Sequence, residues 1–318
     1  MSATSVAPFD AAPGVWLRCA FHVHTTASDG WLAPHIQRQY HHWGSYDVLA
    51  LTDHDMHTPE PDGADDLLLI GGTELSLIAP KSGGPLHLLG IGVNGPVEAD
   101  SSSTLADAAR AVRVQGGLPF LAHPVWSGLR TDEVDGIEHC AGMEIFNASC
   151  EVEQGRGHND AHADVWLSQG HRLGLIATDD THYPGYDAFR AWTMVHAADR
   201  PRGSAGGAGN RAVLRLVGSA PARPALRWRT AGGALHTGGL DCGAGESAIR
   251  QPDLGRTARD HLSRRTPAHR RWAELGGDRR GELLTGARFP VRPGMRYLRV
   301  VVTDALGNRA WSNPVWVE

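Results

Sequence analysis

From about residue 15 to residue 198 the chain alternates short apolar runs with amphipathic stretches. VWLRCAFHVH, YDVLALTDH, LLLIGGTEL, LHLLGIGV, LPFLAHP, GMEIFNAS, RLGLIATDD and AFRAWTMVHA have the length and composition of buried strands. PHIQRQYHHWG, TLADAARAVRVQG and NDAHADVWLSQG read as helices; Pro34 suits a first turn, and Gly44, Gly116 and Gly170 suit helix stops. Nearly continuous apolar strands separated by helices predict an α/β fold, a mostly parallel sheet covered by helices, open or closed as a barrel.

The polar positions sit at the edges of this pattern. Nearly every run ends in His, Asp or Glu: HVH, TDHD, TEL, AHP and TDDTH. In a barrel of parallel strands the carboxyl ends face one rim, and chemistry gathers there. His22 and His24 are two residues apart, so a strand points both imidazoles one way and Val23 the other. A single histidine at a strand end is ordinarily structural. Several independent strands delivering such residues to one rim are not explained that way.

Beyond residue 199 the pattern fails. Residues 1–14 read as a flexible lead-in, 15–199 as the α/β domain, 200–285 as an irregular Arg-, Gly-, Ala- and Pro-rich segment, and 286–318 as a β appendage. In the last of these, YLRVVVTDALGNRAWSNPVWVE predicts two strands around a turn at ALGN. The irregular segment reads as a lineage-specific insert, a disordered loop or a compensated frameshift. Lys81 is the only lysine among 30 basic residues, a bias of GC-rich genes, in which a shifted frame stays open. An arginine-rich arm for nucleic acid is disfavoured, because the charges are scattered and no aromatic platform accompanies them.

Composition narrows the function classes. A net charge of -5 and a pI near 6.4 give no global attraction to nucleic acid or anionic membranes. No apolar run approaches the roughly 20 residues that span a bilayer, and the N-terminus lacks the features of a signal peptide. Cys19, Cys140, Cys150 and Cys242 form no CxxC pair, so a cytoplasmic, reduced protein is expected. Of the 18 histidines, 14 lie between His22 and His182, which points to a metal site in the first half.

The candidate ligands are His22, His24, Asp29, His54, Glu74, His87, His123, Asp180 and His182. Six imidazoles with three carboxylates suit Zn, Mn or Fe better than Ca or Mg. Nine ligands are too many for one ion and suit two or three, with a carboxylate such as Glu74 bridging two. Adjacent divalent ions can hold a hydroxide and stabilise a leaving oxygen. Asp53 and Asp55 flank His54 as partners that orient it or hold its loop. His158, in the Gly-rich GRGHND loop, and Asp53 are candidates for protonating a leaving group. Arg130 is a candidate for gripping a phosphate oxygen, and Trp126 for lining the pocket. Asn147 is a further candidate for reaching the site, with Glu144 structural. His35, His41 and His42 read as a solvated helix face or a charge at the helix C-terminus.

HVHTTASDG, ALTDHD, GTELS, HLLGIGV, LAHP and TDDTH, in this order, resemble the motif series of the polymerase-and-histidinol-phosphatase (PHP) superfamily of metal-dependent phosphoesterases. DDTH, GMEIFNASCE and GNRAWSNPVWV further resemble its CehA/McbA-type, carbaryl-hydrolase-like metallohydrolase branch. The resemblance implies a distorted (β/α)7 TIM-like barrel with up to three metal ions. Carried over, the first ion takes His22, His24, Glu74 and Asp180; the second shares Glu74 and adds His87 and His123; the third takes Asp29, His54 and His182. It implies a hydrolase using a metal-bound hydroxide on a small phosphorylated substrate, a phosphomono- or diester. Carbamate, ester or amide hydrolysis at the same site and a non-catalytic metal-stabilised protein are the alternatives.

Overall fold

The computed structural model describes residues 14–63, 66–197, 247–248, 294–304 and 308–316. The chain divides into two compact units, one within Pro13–Ala222 and one carrying the C-terminal strands.

The first unit runs β1 (Val15–Ala20), α1 (Pro34–Trp43), β2 (Val48–Leu51), β3 (Leu68–Ile78), β4 (Pro85–Ile91), α2 (Leu105–Val114) and β5 (Leu118–Leu121). A 3-10 turn (Ile137–His139) follows, then β6 (Gly142–Asn147), α3 (Ala148–Gln154), α4 (Asp160–Gln169), β7 (Gly174–Thr178) and β8 (Thr193–Ala197). The helix signals act as their chemistry requires. Pro34 opens α1, the Thr104 side chain accepts from the Asp107 amide at the start of α2, and Gly170 ends α4 in the left-handed region.

The eight strands form one sheet in the order β7-β6-β5-β4-β3-β2-β1-β8. Its two ends approach each other. Beyond β1 the His24 amide donates to the Thr181 carbonyl (3.0 Å) and the Thr181 amide to that of His22 (3.3 Å), a parallel bridge centred on Val23. The Thr193 hydroxyl exchanges hydrogen bonds with the Ala177 backbone (2.9 and 3.0 Å), tying β8 to β7. The result is a nearly closed barrel. β1, β2, β3, β5, β6 and β7 share one direction, whereas β4 and β8 run antiparallel to their neighbours. The mostly parallel expectation is thus modified by a hairpin, because the short APKSGG connection between β3 and β4 leaves no room for a crossover helix.

Leu17, Cys19, Phe21, Val48, Ala50, Leu68, Ile70, Leu89, Ile91, Phe120, Ala122, Ile176, Val195 and Ala197 form one buried cluster. They come from seven strands or strand ends at alternate positions, and only a barrel interior can collect such a set. A second cluster includes Ala20, Val23, Leu49, Leu51 and Leu69. β1 ends at Ala20, so the chain carrying Phe21 to His24 no longer alternates as a strand: Phe21 packs into the first cluster and Val23 into the second, with His22 and His24 buried beside them.

Several local expectations change; VWLRCAFHVH, YDVLALTDH, LPFLAHP and RLGLIATDD all stop short, at Ala20, Leu51, Leu121 and Thr178, so that their polar ends leave the sheet. GMEIFNAS splits, with α3 starting at Ala148, where the Asn147 side chain accepts from the Cys150 amide. AFRAWTMVHA shortens to β8, after Phe189 at φ +66°. His41, read as solvated or charged, is fully buried on α1, with its Nδ1–H against the Gln37 carbonyl (3.0 Å) and its ring among Tyr40, Tyr46 and Phe189.

The second unit contains β9 (Ser247–Ala248), β10 (Tyr297–Leu298), β11 (Val301–Asp304), β12 (Arg309–Trp311) and β13 (Val315–Trp316). Antiparallel pairs β11–β12, β11–β9 and β10–β13 replace the two expected strands. The lead-in up to residue 13, the ALG of the expected turn and all of 200–285 except Ser247–Ala248 lie outside the described residues.

Candidate metal centre

The chain leaving β1 carries His22 and His24 and then turns tightly to present Asp29. Asp53 organises that turn. Its carboxylate accepts from the Thr25 amide (2.7 Å), the Thr25 hydroxyl (2.8 Å), the Ser28 hydroxyl (2.7 Å) and the Thr58 hydroxyl. Gly30 closes the turn against the backbone; a Cβ there would meet the His24 carbonyl carbon at 2.4 Å. Asp53 is fully buried and occupied as an acceptor, so this geometry makes it the anchor of the Asp29 turn.

His54 extends β2 and is laddered to Glu74 of β3. The Asp55 amide donates to the Glu74 carbonyl (2.8 Å) and the Glu74 amide to that of Asp53 (3.1 Å). His87 lies near the start of β4, level with Ser76. Because β4 is antiparallel, its start reaches the rim that the other strands reach with their ends. His123 follows β5, and Asp180 and His182 follow β7. Asp180 and His123 have positive φ angles, +56° and +21°, a backbone tension of the kind that collects at functional sites.

These nine side chains converge. Glu74 Oε2 lies 3.0 Å from His22 Nε2, 3.1 Å from His24 Nε2 and 3.3 Å from His54 Nδ1. Glu74 Oε1 lies 2.9 Å from His87 Nδ1 and 3.1 Å from His123 Nε2. Asp180 Oδ1 is 3.1 Å from both His22 Nε2 and His24 Nε2. Further out, Asp29 Oδ2 is 3.5 Å from His54 Nε2 and from His182 Nε2, and Asp29 Oδ1 is 3.3 Å from His24 Nδ1. Three groups have ligand atoms within 4.8 Å of one another: His22, His24, Glu74 and Asp180; His54, Glu74 and His87; and His24, Asp29, His54 and His182.

The donor set fits divalent cations. His22 Nε2, His24 Nε2, His54 Nδ1 and Asp180 Oδ1 are buried and have no hydrogen-bond partner despite these short separations. Buried polar atoms are rarely left so, and four at one place call for a charged occupant. Their other atoms are held from behind. Glu144 Oε1 accepts from His22 Nδ1 (2.8 Å), and Asn147 Nδ2 donates to Asp180 Oδ2 (3.1 Å). The Asp180 carbonyl likewise accepts from His182 Nδ1 (2.9 Å). Each bond directs a lone pair of His22, His182 or Asp180 inward, as metal centres require.

The electrostatics agree. Burial works against protonating His22, but the Asp180, Glu74 and Glu144 carboxylates outweigh it and hold its pKa well above the usual histidine range. Burial likewise opposes the Asp180, Asp29 and Glu74 contacts at His24, and again the carboxylates win. Asp29 is held far below the ordinary carboxylate range by His182, His24 and His54. Carboxylates this dense demand positive charge from whatever stands between them.

Two expected participants have other neighbours. Arg130 is 76% exposed and forms a two-pronged pair with Asp132 (3.0 Å each). His158 bridges to Phe146 through the backbone, with ring centroids 4.8 Å apart, and its Nδ1 is 3.7 Å from Asp160. Trp126 does border the cluster, 4.8 Å from the His123 ring and 5.8 Å from that of His87. Glu144 is more central than its sequence suggested. Besides His22 it accepts from the His123 amide (2.8 Å), Asn147 Nδ2 (2.9 Å) and the Thr178 hydroxyl. Its one sequence signal is a carboxylate inside the apolar run MEIF.

No protein-family model matches the chain, and no curated protein matches it. Among solved structures, it is similar to a two-domain protein from Bacteroides vulgatus containing a predicted PHP-like metal-dependent phosphoesterase. The identity is 21%, the TM-score 0.45, and the match covers 68% of this chain and 67% of that one. An amidohydrolase from Chromobacterium violaceum, with bound sulfate and no metal, matches at 17% identity and TM-score 0.41 over 57% of this chain and 93% of its own. A lesion-specific endonuclease from Pyrococcus furiosus matches at 12% identity and TM-score 0.40 over 86% and 70%. Likenesses this distant assign no activity to this chain.

Proposed function

We propose that this chain is a metal-dependent hydrolase acting on a phosphoester. The observation that carries the reading is the set of four buried, unpartnered donor atoms around Glu74 and Asp180, contributed by separate strand ends. Bound divalent ions would supply an activated water and positive charge for the oxyanion that develops as the ester bond breaks. His22, His24, Glu74 and Asp180 would hold one ion, Glu74, His87 and His123 a second, and Asp29, His54 and His182 a third. Glu74 suits the bridging role because each oxygen faces a different set of imidazoles. Glu144 and Asn147 hold these groups in aim, and Trp126 forms the wall beside His87 and His123.

The phosphoester is the substrate class implied by the motif series. Carbonyl chemistry on an ester or carbamate is the second reading, favoured by Arg130 being engaged with Asp132 and by the Trp126 wall. A panel of p-nitrophenyl phosphate, a bis-aryl phosphodiester, an aryl ester and an aryl carbamate, each with added Mn²⁺ or Zn²⁺, separates the two. Turnover of a phosphate substrate well above that of the carbonyl substrates is expected. Hydrolysis confined to the ester or carbamate overturns the phosphoester assignment, and no metal-dependent turnover on any of the four overturns the hydrolase assignment.

A further inference from the structure

We infer that His54 is a ligand shared between two metal positions, so that the centre holds two ions tightly and a third weakly and exchangeably. The inference rests on the metal-centre reading above.

The argument counts lone pairs. A carboxylate bridges two ions readily, having two oxygens, but a neutral imidazole carries a hydrogen on one nitrogen and offers a single lone pair. The three ligand groups are chained through shared members: Glu74 joins the two inner groups, His24 joins one inner group to the outer, and His54 joins the other. His24 has no freedom. Its buried, unpartnered Nε2 faces Glu74 and Asp180, and its Nδ1 lies beside the acceptors Asp29 Oδ1 (3.3 Å) and Ser28 Oγ (3.4 Å). Its hydrogen therefore sits on Nδ1, and its lone pair serves the inner position.

His54 stands between two carboxylates, Nδ1 toward Glu74 Oε2 (3.3 Å) and Nε2 toward Asp29 Oδ2 (3.5 Å). With hydrogen on Nε2, it donates to Asp29 and completes the inner group with Glu74, His87 and His123. The outer position then keeps Asp29 and His182 alone. With hydrogen on Nδ1, it gives Nε2 to the outer position and leaves the inner one with three protein ligands. The two positions compete for one lone pair. The outer position also has the more accessible carboxylate, since Asp29 is 52% exposed against 1% for Glu74. The third ion accordingly enters only by withdrawing His54 from the second.

The test is metal counting on the full-length apo chain. Samples are titrated with Zn²⁺ or Mn²⁺ at buffered free concentrations, and bound metal is read by elemental analysis. Wild type is expected to retain two equivalents through gel filtration and to take a third only at free metal about tenfold higher or more. Asp29→Asn is expected to lose the third step and leave the first two unchanged. His54→Gln is expected to lose the third step and also weaken the second ion about tenfold or more. Far-ultraviolet circular dichroism confirms that both variants fold. Three equally tight ions, or identical titrations for the two variants, overturn the sharing of His54 while leaving a metal centre in place. No bound metal at all overturns the metal-centre reading itself.

Discussion

Glu144→Gln is a change of one atom that puts the centre's supporting bonds to the test. In the native chain Glu144 Oε1 accepts from His22 Nδ1 and the Thr178 hydroxyl, and Oε2 accepts from the His123 amide and Asn147 Nδ2. A glutamine can be placed in two ways. With its NH₂ at the Oε2 position it faces two donors that cannot accept, and leaving such buried groups unsatisfied costs about 1–3 kcal/mol each. With its NH₂ at the Oε1 position, Thr178 can rotate to accept, but His22 must accept at Nδ1. Its hydrogen then moves to Nε2, and the lone pair facing Glu74 and Asp180 is lost. The second arrangement is less costly to the fold and is the expected one. We expect the ion held by His22 to bind roughly 10- to 100-fold more weakly, the range typical of lost outer hydrogen bonds at metal centres, with a modest fall in Tm. The assay is competition for Zn²⁺ against a chelator of known affinity, with thermal melts of the metal-free forms alongside. Unchanged affinity together with an unchanged melt would refute the claim that Glu144 sets the tautomer of His22.

Other perturbations separate holding from surface roles. Asp53→Ala strips the acceptor from the Thr25 amide and three hydroxyls and is expected to destabilise the fold by about 1–3 kcal/mol, read by urea denaturation; a wild-type midpoint would show that the Asp29 turn needs no anchor. His41 is held by burial at about 4 against its ordinary 6.5. The unfolded chain therefore takes up this proton first, and stability present above pH 6.5 falls as pH drops toward 4, by about 3 kcal/mol in all. His41→Phe should flatten that part of the pH–stability curve, and an unaltered slope contradicts the assignment. Arg130→Ala is expected to leave the KM for a phosphoester and Tm unchanged, because the Arg130–Asp132 pair is solvent-exposed; a clear rise in that KM would restore Arg130 to phosphate binding.

The sequence carried the site more readily than its scaffold. His22, His24, His54, His123, Asp180 and His182 advertise themselves because each follows an apolar run, and a barrel sends such ends to one rim. His87 was legible only through its company. It sits near the beginning of its strand, and it reaches the rim because β4 is reversed, a direction that apolar periodicity does not encode. Glu144 looked like one polar residue in a buried strand, and its four bonds come from His22, His123 and Thr178, distant in sequence, and from Asn147 at the end of β6. His41 shows the converse error. A helix of mixed polarity looked solvated, yet Tyr46 and Phe189, both outside that helix, enclose its ring. Arg130 was singled out for closeness along the chain to His123, but its guanidinium meets Asp132 instead. In each case local pattern named the residue type, and long-range packing decided its neighbours.

The central claim is that the cluster around Glu74 and Asp180 binds the ions on which turnover depends. The most direct measurement pairs elemental analysis with phosphoester hydrolysis on the same chelator-stripped samples, before and after adding back Mn²⁺ or Zn²⁺, for wild type and His22→Ala. The account predicts that wild type regains at least two equivalents of metal and its activity together. His22→Ala, folded by circular dichroism, should regain fewer equivalents and little activity. Activity that survives in the metal-free wild type, or full activity in His22→Ala, would contradict it.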